Sequence, residues 1–206
     1  MPPKVLLSRP FPPNLKTVPS CKSCNNDASP DEQYFLILLS HAALSPNIES
    51  KLAHGGQIDR TLSYSPKLEN RLLSALGVDD ETGKPFIKPE IHRVNRVVRK
   101  MATGLYTLRY GCLPTSDEIG RVELYPYTLE DLRPLPYFIA TFTERFKTKK
   151  WQKIQSGTFS YIFVSDPQNS RNLWCIMDIY QSFWGIVHFS KPKRAKFRAS
   201  QQLKLF

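Results

Sequence analysis

Residues 14–35, NLKTVPSCKSCNNDASPDEQYF, hold the reading on which the fold depends. Cys21 and Cys24 form a Cys-x-x-Cys pair inside a stretch rich in Pro, Ser and Asn. Such a pair on a tight turn can aim two thiolates at one metal ion, and a tetrahedral zinc site then needs two further ligands. Just downstream, Ser29 is a good N-cap, Pro30 suits the first helical position, and Glu32 can close a capping box. Phe35, Leu36, Leu38 and Leu39 then supply a broad apolar face. The stretch therefore predicts an irregular segment over 1–28 that passes into a helix at Pro30.

Upstream, Pro2, Pro3, Pro10, Pro12 and Pro13 favour extended and turn conformations. Downstream, Ser45-Pro46 and Ser65-Pro66 repeat the helix-start signal and predict short helices over 46–54 and 66–76, stopped by Gly55-Gly56 and Gly77. VDDETGKPFIKP (78–89) reads as a loop. The clearest helix spans 89–109, where Ile91, Val94, Val98, Met101, Leu105 and Leu108 fall on one stripe. Arg93, Arg96 and Lys100 step alike on another, which is either a solvated basic face or a face turned to phosphates. Residues 111–127 read as a linker, and Thr128 caps a further helix. After Trp151 the period changes to two. Residues 158–163, LWCIMDIY and FWGIVHF predict three strands of a small antiparallel sheet, the last two separated by Gln181-Ser182.

The fold expectation is α+β. A partial metal motif with its following helix occupies 1–44, and a helical region 45–110. A linker and helix fill 111–150, an antiparallel β region 151–190, and a basic tail 191–206. Hydrophobic residues make up 41% of the 206, enough for a core without disulfides. The remaining cysteines, Cys112 and Cys175, are isolated, so the set does not read as a secreted framework. No apolar run is long enough for a membrane helix, and MPPKVLLSRPFPPNLK lacks the apolar stretch of a signal peptide. A reducing, cytoplasmic setting with no membrane partner is expected. The net charge of +11 points to an anionic partner, most simply nucleic acid.

The motif residues together carry a resemblance. Pro2-Pro3-Lys4, Asn14-Leu15, VPSCKSCNN (18–26) and the acidic-aromatic helix start that follows resemble one bacterial branch of the HNH endonuclease family. The likeness extends more weakly to NRVVRKMATGLYTLRYGCLP (95–114) and to the aromatic C-terminal strands. It implies a ββα-metal motif in which a hairpin and a helix grip a divalent metal, Mg²⁺ or Mn²⁺. A histidine after an acidic residue activates water, and two Cys-x-x-Cys pairs bind a structural zinc. By this resemblance Asn14 corresponds to the central asparagine. Asn25, beside Asn26, corresponds to the last His/Asn position, and Cys21 and Cys24 correspond to the second cysteine pair. Met1 to Lys4 correspond to the residues directly after the Asp-His dipeptide. The dipeptide and the first cysteine pair are not among the 206 residues, so half a zinc site is present and the general-base histidine is missing. His41, His54, His92 and His188 do not stand at the matched position.

Three functional expectations follow. The first is an HNH-like, metal-dependent DNA nuclease, inactive as written because the general-base histidine is absent, and an active endonuclease if the true N-terminus is longer. The second is a non-cleaving basic module that binds nucleic acid, DNA first. The third is a protein-interaction domain. For Cys21 and Cys24 the alternatives to a metal arm are reduced loop thiols or a redox pair.

Overall fold

Strand periodicity in the last quarter of the chain builds the three central strands of a five-stranded antiparallel sheet, on one face of which the helical part of the core packs. The computed structural model describes residues 2–42, 51, 56–81, 83, 85–126, 150–166 and 169–190. Nearly all of the helix expected over 46–54, the one expected after Thr128, and the basic tail lie outside them. So does His54.

Among the described residues there are four α-helices: α1 (Lys22–Ala42), α2 (Gln57–Tyr64), α3 (Pro66–Leu73) and α4 (Ile91–Tyr110). Two strands, β1 (Leu76–Val78) and β2 (Pro85–Ile87), form a short hairpin. The main sheet holds β3 (Ile119–Pro126), β4 (Gln152–Gln155), β5 (Phe159–Ser165), β6 (Asn172–Ile179) and β7 (Phe183–Ser190), in the spatial order β3-β7-β6-β5-β4. The architecture is α+β. None of the described helices is long and apolar enough to cross a membrane.

Alternation sorts the sheet residues by face. Phe163, Cys175, Met177, Val187 and Phe189 face the helices in one continuous core. Ile162, Val164, Ile176 and Ile186 form a second cluster with Trp151, Trp174 and Trp184 on the opposite face. On α4, Val94, Val97, Val98, Met101, Ala102, Leu105 and Tyr106 make the buried stripe, and Gly111 ends the helix at φ +72°. Helix α1 is buried all round over Tyr34 to Leu39, which makes it the central rod of the core.

Three expectations are corrected. First, α1 begins at Lys22, not at Pro30. Pro30 sits inside it, on an exposed position, where the carbonyl that loses its helical partner belongs to exposed Asn26. Second, the N-terminal segment has little regular structure but is not loose. Pro2, Pro3, Leu6 and Leu7 are buried, and a 3-10 turn spans Lys4–Leu6. Ser8 N–H donates to Gln155 Oε1 at 2.8 Å, and Gln155 Nε2 donates back to Ser8 O at 2.9 Å, which ties the segment to β4. Lys51, only 6% exposed, donates to Val5 O, Leu7 O and Gln57 Oε1 at 2.8–3.1 Å. Third, the presumed linker after residue 111 contains β3, and the presumed loop 78–89 contains β2. Helix α2 and strand β4 were also not expected. Both β3 and β4 are edge strands with polar and charged residues, so the alternation that marks central strands is weak in them.

The β6–β7 turn places two non-glycine residues in the left-handed region, Tyr180 at φ +56° and Gln181 at φ +51°. Such residues persist where their surroundings over-determine them. Here the Tyr180 ring is fully buried, its N–H donates to Thr158 O, and its hydroxyl donates to Leu6 O. Tyr180→Phe is expected to leave the Leu6 carbonyl without a partner. Urea unfolding should show a stability loss of about 1–3 kcal/mol with an unchanged slope. A loss within experimental error would show that this bond does not hold the N-terminal segment to the sheet.

Candidate metal centre

The early start of α1 places the cysteine pair on a helix end. Cys21 is the N-cap: its carbonyl accepts the first helical bond, from Asn25 N–H at 3.0 Å. Its sulfur accepts from the N–H of Cys24, at the N3 position, at 3.1 Å, which is the bond a capping side chain makes. Ser23 Oγ lies 3.3 Å from the same sulfur. Both cysteines are exposed and free.

These contacts favour the thiolate. Hydrogen bonds from the Cys24 side chain, then from Ser23 and from the Cys24 backbone, lower the Cys21 thiol from the ordinary 9.0 to about 7. Cys24 moves the other way, raised by its hydrogen bond to Cys21 and by the charge there. Elsewhere, Cys175 is fully buried and burial pushes its thiol up, while Cys112 is exposed and distant in sequence.

The basic stripe on α4 faces α1. Asp31, 3% exposed, sits between two guanidiniums, with Arg93 Nη1 at 2.9 Å from Oδ1 and Arg96 Nη1 at 2.6 Å from Oδ2. Arg93 Nε also pairs with Glu90 at 3.0 Å. Lys100 Nζ lies 2.6 Å from Glu32 Oε1 and 3.4 Å from Asn25 Oδ1. All three cations of the stripe are thus paired to carboxylates. They hold the third turn of α1 onto α4, and Lys100 reaches back to Asn25 in the first.

The structure therefore brings Cys21, Cys24, Asn25 and Lys100 to one end of α1. Asn14 goes elsewhere. It sits in an exposed turn closed by Leu15 N–H to Pro12 O, and it lines a cavity of about 280 Å³ with Lys153 and Tyr161. His92 is exposed beside Glu90. His188 lies in β7 against the Trp174 ring, 3.1 Å from Asn172 Oδ1, and burial lowers its pKa. Among the described residues no three of His, Cys, Asp and Glu gather about one point.

Two thiols on the first turn of a helix, one already disposed to ionise, suit two positions of a zinc tetrahedron. They fill half of it. Among the described residues, no group of three His, Cys, Asp or Glu side chains stands near Asn25 to hold a catalytic Mg²⁺ or Mn²⁺.

Reading the sequence alone missed the partners of the α4 stripe. The signal was present as complementary charge: Asp31-Glu32 on one helix, and Arg93, Arg96 and Lys100 at spacings of three and four on the other. A folded-state pKa lowered to about 7 keeps the Cys21 thiolate above pH 7 and loses it as pH falls through that value. Iodoacetamide labelling of the Cys21 peptide, followed by mass spectrometry, is therefore expected to rise with a midpoint near 7, and Ser23→Ala should move it upward. A midpoint at the ordinary 9.0 would show that the cap bonds do not form. Comparison with protein families, with characterised proteins and with solved structures finds no match to this chain.

Proposed function

We propose that this chain is an HNH-like module that contributes two of the four ligands of a structural zinc and binds DNA, without itself cutting it. The observation that carries the reading is the placement of Cys21 and Cys24 on the first turn of α1, with Asn25 at the next position. Zinc held there would staple this helix end to whatever segment or molecule supplies the remaining ligands. The net charge of +11 favours a polyanionic partner.

Hydrolysis is a separate matter. Cleaving a phosphodiester needs a group that takes a proton from the attacking water and ligands for a divalent metal. The described residues do not group such side chains at the Asn25 end of α1. Binding without cutting is therefore the expected behaviour of these residues alone.

A second reading, a thiol–disulfide pair, draws on the lowered Cys21 thiol at a helix N-terminus. Oxidised glutathione separates the two. In a redox pair, exchange closes Cys21 onto Cys24 with release of two reduced glutathione molecules, and zinc leaves that rate unchanged. In a metal arm, zinc slows the exchange.

The purified chain is expected to bind a fluorescent DNA duplex with an affinity that falls steeply as salt rises. Plasmid DNA should stay intact with Mg²⁺ or Mn²⁺. Absence of salt-dependent binding would overturn the nucleic-acid reading. Nicking by the purified chain that tracks with the protein peak would overturn the non-cleaving part.

A further inference from the structure

Arg93, Arg96 and Lys100 of α4 are paired to carboxylates, so the stripe they form is not a free phosphate-binding face. A cavity of about 820 Å³ opens between the N-terminal segment, α1 and α2. Lys4 and Arg9 line it, both exposed, and Arg60 of α2 lines it as well. Among the described residues that line it, the one carboxylate is Glu32, which is paired with Lys100 at 2.6 Å. Lys51 lies at its base, but that ammonium is occupied by the Val5 and Leu7 carbonyls and by Gln57. Its role is to fix the backbone of the Lys4–Leu7 wall. Ser8 lines the same cavity, and its buried hydroxyl has no hydrogen-bond partner among the described residues. A buried hydroxyl without a partner is costly, and an incoming acceptor would satisfy it.

The position of the cavity links it to the cysteine end of α1. Asn25, Ser29 and Gln33 step by four along that helix and so share one stripe. Ser29 and Gln33 line the cavity, and Asn25 continues the stripe towards Cys21. Lys4 and Arg9 both lie against the Phe11 ring, at 5.9 and 5.4 Å from its centroid, which holds the two charges near each other at the cavity wall.

We infer that this groove is the phosphate track of the protein. Lys4 and Arg9 contact successive phosphates of a DNA strand that runs along the Asn25–Ser29–Gln33 face of α1. The inference rests on the nucleic-acid reading above and names its contact surface. The chemistry is that of a phosphodiester chain: cations spaced along a polar groove, hydroxyl and amide donors on the wall, and one aromatic ring.

The test is fluorescence anisotropy with a labelled DNA duplex over a range of salt. It compares the unmodified chain, Lys4→Gln/Arg9→Gln, and the charge-matched control Lys67→Gln/Arg171→Gln, whose two residues are exposed and do not line the groove. The groove variant is expected to weaken binding by at least about tenfold at 0.1 M salt. The slope of log K against log salt should shrink by about 1.8, near 0.9 per lost contact. The control should change affinity less than about twofold. Equal losses in both double variants would overturn the groove while leaving DNA binding in place. No binding by the unmodified chain would overturn the nucleic-acid reading itself. The single variants Lys4→Gln and Arg9→Gln, each expected to remove about half of the slope change, decide the question should the double variant melt early.

Discussion

A buried carboxylate held between two arginines organises this molecule. Asp31 lies inside the α1–α4 interface with Arg93 and Arg96 on its two oxygens. A buried charge is tolerated only when paired, and removal of one partner from such an arrangement is strongly destabilising. The neighbouring Glu32–Lys100 pair extends the clamp towards the helix start. Together they dock a stretch of α1 whose own residues, KSCNNDAS, include few strong helix formers. With the clamp, the helix extends back to Lys22 and Cys21 becomes its cap.

The chemistry of the site follows from that docking. A sulfur at the N-cap accepts a backbone N–H and ionises more readily, and a second sulfur on the first turn lies beside it. The same helix forms one wall of the basic groove, whose opposite wall is the N-terminal segment. That segment is held by the Lys51 ammonium, by the Gln155 amide and by the Tyr180 hydroxyl. Candidate metal arm and candidate phosphate track thus share one rigid element.

Much of this was legible in the sequence. The long amphipathic helix and the three central strands follow from periodicity, because Val94, Val98, Met101 and Leu105 on α4, and alternating residues on β5 to β7, are buried where the pattern predicts. The edge strands were not legible, since IGRVELYP and QKIQ carry charges or amides along an edge that has no second neighbour among the described residues. The start of α1 was misplaced because Ser29-Pro30-Asp31-Glu32 is a strong local cap signal. Tertiary ion pairs override it, and Asp31 and Glu32 serve as clamp residues in the helix interior. The Cys-x-x-Cys pair singled out in the sequence stands at the N-terminal end of α1. The groove did not show in the sequence, because Lys4, Arg9 and Arg60 meet only after the N-terminal segment folds over α1 and α2.

Amide hydrogen exchange across α1 tests the clamp most directly. In the unmodified chain, the Asn25 to Ala28 amides should be protected, and Asp31→Asn should abolish that protection while the Tyr34 to Leu39 amides exchange slowly in both. Free exchange at Asn25 to Ala28 in the unmodified chain would mean that the helix starts at Pro30, and that the two cysteines lie on an unstructured segment.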